Sequence, residues 1–321
     1  MWFLFAVICI LGWGFADLFY KKSSDDNDRY SHLKIAVWVG IVMGVCAIVL
    51  MFVPGIEDRT VGIGNLFSGA VKYLPASLGY IISMVIGYAG LRYLELSIVS
   101  PVQNASGALS AVCIMAVFLF KGKITSIGDE LSVLEIIGTL IIVAGVISLA
   151  FVEQNLSKAE IDKADKKYKM GALALIFPIL YCVFDTIGTA ADGIILDEET
   201  GLGLGEIDVL ILYGLTFFVA GIGAWLFLLI KNKKPYNPFK HGETNKMIAA
   251  GCEEFGQLFY VYAMASRPVI AAPMVASYCI VSVILSRIIL KEKLKASQAV
   301  CVISVIAGIV LLGIAEGLSE A

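Results

Sequence analysis

Residues 249–260 read AAGCEEFGQLFY, and the adjacent glutamates Glu253 and Glu254 stand in a stretch that is otherwise largely apolar. A charged group at the centre of a bilayer costs about 2.5–3.5 kcal/mol even on lenient insertion scales. Two of them persist where a polar cavity hydrates them or where something charged moves past. On a helix Glu253, Gln257 and Tyr260 fall at i, i+4 and i+7 and form one polar stripe, while Glu254 points about 100° away from it. The spacing lets Glu253 line a pathway and lets Glu254 hold a cationic group or a proton on an adjacent wall. The plainer alternative is a water-filled entrance near a helix end.

A second stripe runs through Tyr181, Asp185, Thr189 and Asp192. Asp185 is expected to face a cavity, and Asp192 to sit at an outer mouth beside the acidic loop 196–208. Pro178 is expected either to kink this helix and free a carbonyl, or to serve packing alone. Asp17 follows Trp13 by four positions, as Asp185 follows Tyr181, so each aromatic and its carboxylate would face one lumen. Asp17 also lies four residues before Lys21 and could pair with it instead. Gln103 and Asn104 are balanced between substrate contact and packing. The serines Ser106, Ser110, Ser277, Ser282 and Ser286 read as interhelical hydrogen-bonding groups, worth about 0.6 kcal/mol each on average.

Desolvation and a neighbouring carboxylate both disfavour the charged form of a carboxyl group, which suits proton uptake and release near neutral pH. The same groups could counter a cationic substrate. Arg92, Arg267 and Arg287 fall near helix ends, so no base at membrane depth matches the carboxylates and a bulky anionic substrate is disfavoured. The two histidines, His32 and His241, lie in polar loops, and the seven cysteines lie inside apolar stretches without a CxxC. A zinc site, a histidine-based triad and hence an intramembrane enzyme lack their residues, and no cofactor is expected.

The elements that must position these groups are membrane spans. The chain has 321 residues, 59% hydrophobic and 16% charged, with a mean hydropathy of +0.87; soluble domains run at about half and a quarter. Its net charge of −3 offers no basic face to nucleic acid. Apolar runs predict ten helices near 2–20, 33–53, 71–90, 96–120, 131–151, 171–191, 207–230, 246–265, 269–290 and 297–316. Helices are required because lipid gives backbone polar groups no partners. The third and eighth are the most polar, as cavity-lining helices would be. The first is read as a retained span, since it lacks a basic n-region and a cleavage pattern.

Internal similarity divides the chain. KGKI at 121–124 matches KEKL at 291–294, VAGVISL at 143–149 matches IAGIVLL at 306–312, and SPVQNAS at 100–106 matches APMVAS at 272–277. These give a first five-helix repeat over 1–152, a polar linker over 153–170 and a second repeat over 171–321. Five is odd, so the two repeats run in opposite senses across the bilayer. Gly138 and Gly145, like Gly214 and Gly221, recur every seven residues and read as close-packing positions. Of the 24 lysines and arginines, 19 fall on one side of this topology and 5 on the other, which places both termini outside the cytoplasm.

The two repeats, Pro101 and Pro273 opening helices four and nine, and KEKLKASQ (291–298) leading into a Gly-containing last helix together resemble the drug/metabolite transporter superfamily, specifically EamA-like ten-helix carriers. Family members often carry a glutamate in the turns after helices four and nine; Glu292 fits, while Gly122 stands in the first repeat. Members are also commonly drawn with cytoplasmic termini, against the loop charges here. The resemblance implies secondary active or exchange transport of a small metabolite through a cavity between the repeats. The expected fold is therefore all-α integral membrane, ten transmembrane helices as two inverted five-helix repeats. The expected function is transport of a small polar, zwitterionic or cationic metabolite such as an amino acid, amine or sugar, coupled to protons, with the lipid bilayer as the other partner and the plasma membrane as the location. The alternatives are an uncoupled facilitator or exchanger of the same fold, or a non-transporting receptor or assembly protein. Candidate site residues are Trp13, Asp17, Gln103, Asn104, Tyr181, Asp185, Glu253, Glu254, Gln257 and Tyr260.

Overall fold

The computed structural model describes the chain except for residues 26–27, 56–58, 95, 162–173, 200, 241, 292–295 and 320–321. Among the described residues all regular structure is helical. The elements are α1 (Trp2–Ser23), α2 (Ser31–Phe52), α3 (Leu66–Gly90), α4 (Leu96–Asn104), α5 (Ser106–Lys121), α6 (Ile127–Glu130), α7 (Val133–Ile161), α8 (Ile176–Ile195), α9 (Glu206–Asn232), α10 (Thr244–Ser266), α11 (Pro268–Ala276), α12 (Tyr278–Ile289) and α13 (Ala296–Ser319). Among the described residues nine helical stretches, two of them the paired segments α4/α5 and α11/α12, are long and apolar enough to cross a membrane. The chain is an all-α, multi-pass membrane protein. The tenth expected span, α10, has 23 residues, about 34 Å at the helical rise, but its carboxylates and amides make it too polar to count by apolarity. It packs along α1.

Prominent packing pairs include α1 with α10, α3 with α8, α2 with α9, α7 with α13, α5 with α11 and α4 with α12. Replace each element by its counterpart five spans along, and the same set of pairs returns. The contacts of α1 with α11 and α12 likewise become those of α8 with α4 and α5. A two-fold relation between the halves would produce this pattern, while the packing of α4 on α7 has no equal between α11 and α13. Without a hydrophobic drive inside lipid, such seams depend on close packing. Accordingly Gly138 and Gly145 face α13 at Leu312 and Val305, and Gly214 and Gly221 face α2 at Met43 and Gly40.

Loop contacts sort the two ends of the bundle. At one end Lys21 donates to the carbonyls of Leu91 and Leu94 at 2.6 and 2.8 Å, Arg92 reaches the carbonyl of Arg29, and Lys34 lies over the Tyr236 ring. At the other, the N-terminal ammonium meets Glu316, Lys123 meets Asp197, Arg267 meets Glu135, and Asp208 accepts from the backbone of Thr60 and Val61. The predicted alternation of spans requires this grouping.

Several details depart from the expectations. Spans four and nine are each broken in two, at Ala105 and Ser277. Pro101 and Pro273 lie inside α4 and α11, four residues before each break, rather than opening the helices; each removes an N–H and so releases a carbonyl one turn back. Pro178 is the third residue of α8. There its missing N–H belongs to the first turn, which has no intrahelical partner in any case, so it does not kink the helix. The sixth helix starts later and runs on to Ile195, taking Asp192 into its body. Gly122, where the family often has glutamate, adopts φ +73 and closes α5 through the Gly122 and Lys123 N–H groups, a left-handed cap that a side chain would strain. Most of the linker lysines, His241 and the KEKL residues 292–294, Glu292 included, lie outside the described residues.

Candidate functional site

One cavity opens between the halves, at the level of the two helix breaks and toward the Lys21 end. It is narrow, with a volume of about 50 Å³ open to the centre of a water-sized sphere. Nine of the ten candidate residues line it: Trp13 and Asp17 from α1, Gln103 and Asn104 from α4, Tyr181 and Asp185 from α8, and Glu253, Gln257 and Tyr260 from α10. The helical stripes read from the sequence therefore converge. Glu254 is the exception. It turns about a quarter-turn off the stripe and meets Cys46 of α2, and its Oε2 lacks a hydrogen-bond partner.

The two aspartates are held by hydroxyls from the broken spans. Asp17 Oδ2 accepts from Ser100 of α4 at 2.6 Å and Ser282 of α12 at 2.7 Å. Asp185 Oδ2 accepts from Ser106, the first residue of α5, at 2.6 Å, where the exposed N–H groups of the helix start also favour negative charge. The expected alternative of Asp17 pairing with Lys21 gives way to these bonds, because Lys21 extends to the carbonyls at the helix end. Ser100, Ser106 and Ser282 thus orient carboxylates, whereas Ser110, Ser277 and Ser286 bond backbone carbonyls.

Trp13 is seated over Gly256, and its Nε1 donates to the Glu253 carbonyl at 3.1 Å. Its ring meets Tyr260 at 5.0 Å and Tyr278 at 5.6 Å, the latter nearly perpendicular. The walls also include Tyr20, Tyr80, Tyr88, Tyr181 and Tyr213. These tyrosines come from four different helices, and nothing in their local spacing announces them as one surface. Gly87 admits Gln103 and Tyr181 to this wall: a Cβ there would stand 2.9 Å from Gln103 Nε2 and 2.7 Å from the Tyr181 ring.

Asp192 is fully buried, not at a mouth. Its Oδ2 accepts from the Tyr80 hydroxyl at 2.9 Å, and that hydroxyl lies 2.7 Å from the Tyr260 hydroxyl. Its neighbourhood to the loop 196–208 misled the sequence reading; the i+7 spacing from Asp185 was the signal that it shares the inner face. The described residues lining the cavity include no lysine, arginine or histidine. Among the described residues no group of three or more His, Cys, Asp or Glu could hold a metal ion.

Comparison with known proteins bears on the part of the chain that builds α9 to α13. Residues 200–314 match the EamA-like transporter family. This stretch is similar to EamA-like transporters. The match covers less than half of the chain and is a likeness of that stretch to a transporter family. No curated protein matches the chain. A solved structure, described only as the crystal structure of a protein, superposes on 100% of this chain and 99% of its own with a TM-score of 0.63 at 13% identity. That likeness speaks to the fold alone, and it runs over the full length of the chain.

Proposed function

We propose that the protein is a secondary transporter of a small polar, zwitterionic or cationic metabolite, coupled to protons, in the plasma membrane with both termini outside. The observation that carries this reading is a cavity walled by both halves, in which Asp17, Asp185 and Glu253 face no lysine, arginine or histidine among the described residues. Three carboxylates at membrane depth, with no basic partner among the described lining residues, are costly as a permanent charge. They are useful if each cycle neutralises them, by a proton or by a cationic cargo. Broken helices at equivalent places in two halves are a recurrent way to build such a site.

The arrangement suits alternating access. The end away from Lys21 is held by Lys123–Asp197 and Arg267–Glu135, and the Tyr80–Tyr260–Asp192 cluster lies between that end and the cavity. Rocking one half against the other would part these contacts and re-form equivalents at the opposite end. Protonation of Glu253, whose backbone carbonyl is tied to Trp13, would be felt by both α1 and α10.

The test is proton movement in proteoliposomes carrying a pH dye, challenged with pooled metabolites. Wild type is expected to show metabolite-stimulated proton flux, Glu253→Gln to lose it, and Glu254→Gln, outside the cavity, to keep it. Metabolite entry without a proton signal would replace coupling by facilitation or exchange. No movement of any metabolite would sink the carrier reading.

A further inference from the structure

The cavity also constrains what its cargo can be. A ligand carboxylate or phosphate would meet Asp17, Asp185 and Glu253, with no base among the described lining residues to offset it. A positive charge would be countered several times over. The remaining wall is largely aromatic, and Trp13 with Tyr278 forms a corner of two ring planes at 82°. Aromatic faces attract cations, most of all where water is excluded. They give nothing like the six or more oxygen ligands a hard metal ion takes. An ammonium whose substituents are alkyl groups fits such a wall, because its charge meets the rings and carboxylates while its carbons pack.

A second, independent feature asks for an acceptor on the same ligand. Gln103 and Gln257 line the cavity with 5% and 1% of their surface exposed, and the Nε2 of each has no hydrogen-bond partner. Buried donors left unpaired are costly, and an oxygen on the ligand would satisfy one or both. We propose that the cargo is a small organic ammonium ion carrying a hydrogen-bond-accepting oxygen. This rests on the transporter reading and narrows it: a monocation is preferred to a zwitterion, and a zwitterion to an anion.

The experiment uses the purified full chain and four probes of similar size: choline, tetramethylammonium, glycine betaine and 3,3-dimethyl-1-butanol, the uncharged carbon isostere of choline. Calorimetric binding at fixed pH is expected to rank choline first. The neutral isostere should bind at least about tenfold more weakly, given the strength of desolvated cation–aromatic contacts. Asp17→Asn, which keeps an acceptor for Ser100 and Ser282, is expected to weaken choline at least about tenfold by the same scale while leaving the melting temperature close to wild type. Trp13→Leu should do likewise and Trp13→Phe less; if Trp13→Leu fails to fold, the aspartate variant decides. Counterflow in proteoliposomes then compares choline with a pool of neutral amino acids and sugars. Equal binding of the isostere, or movement of a pool member with no ammonium bound, overturns the ammonium inference and leaves the carrier standing. Choline binding without flux of any compound upholds the ligand and overturns the carrier.

Discussion

At the scale of single residues, the Tyr80 hydroxyl stands between the Asp192 carboxylate and the Tyr260 hydroxyl. Tyr80→Phe removes the donor to Asp192 Oδ2 and leaves a buried acceptor unpaired, which should cost about 1–3 kcal/mol; thermal unfolding in detergent measures it as a lowered Tm. Gly87 offers a contrasting pair of substitutions. Gly87→Ala forces a methyl against Tyr181 and Gln103, with an expected loss of about 1–3 kcal/mol and slower transport. Gly223→Ala in α9 meets nothing within 4 Å and should be neutral or stabilising by up to about 1 kcal/mol from helix propensity. The stripes that carry Trp13, Asp17, Tyr181, Asp185, Glu253 and Gln257 were legible because helical spacing is a local property. Glu254 was legible as pointing elsewhere, but Cys46 as its neighbour was not, since α2 is two hundred residues away in sequence.

Elements bring a different kind of information. The breaks at Ala105 and Ser277 follow Pro101 and Pro273 by one turn, and the two broken spans cross where Gly107 meets Ala276. A Cβ on Gly107 would come within 2.7 Å of the Ala272 carbonyl oxygen, and backbone cannot move aside as a side chain can. Gly107→Ala should therefore lower stability by about 1–3 kcal/mol, read from the same melts. The prolines were visible in the sequence, but their consequence was not, because a proline either starts or interrupts a helix depending on what packs beside it. The loop from α1 to α2 carries a pH-dependent contact outside the membrane. Burial works to raise the Asp28 carboxyl, but Lys34 at 2.6 Å and the Tyr30 N–H outweigh it, so the net shift is downward. A group lowered by folding stabilises above its unfolded value and loses that contribution as pH falls through the folded one. Amide protection factors at the start of α2, corrected for the intrinsic exchange rate at each pH, should accordingly fall below about pH 4 and stay unchanged from there to neutrality.

For the whole molecule, the end opposite Lys21 is fastened by Lys123–Asp197 and Arg267–Glu135. Each pair joins the first five spans to the last five, so weakening both should release the halves from each other there. The combination Asp197→Asn with Glu135→Gln, in a chain bearing Thr189→Cys, is expected to raise labelling of that thiol by a membrane-impermeant maleimide added from this end. An unchanged labelling rate would mean that the tyrosine cluster alone closes the path.

Composition and periodicity by themselves determined that this is a ten-helix membrane protein with polar stripes on its first, sixth and eighth helices, and the internal matches pointed to two related halves. These are local or additive properties: a run of apolar residues spans lipid wherever it lies, and residues at i and i+4 share a face whatever the neighbours. The tertiary structure alone decided that the stripes meet in one cavity, that serines of the broken spans clasp both aspartates, that tyrosines from four helices complete the wall, and that Asp192 is buried. Those facts depend on which helices pack side by side and at what height, and the packing pairs, such as α1 with α10 and α3 with α8, join segments too far apart in the chain for any local pattern to encode.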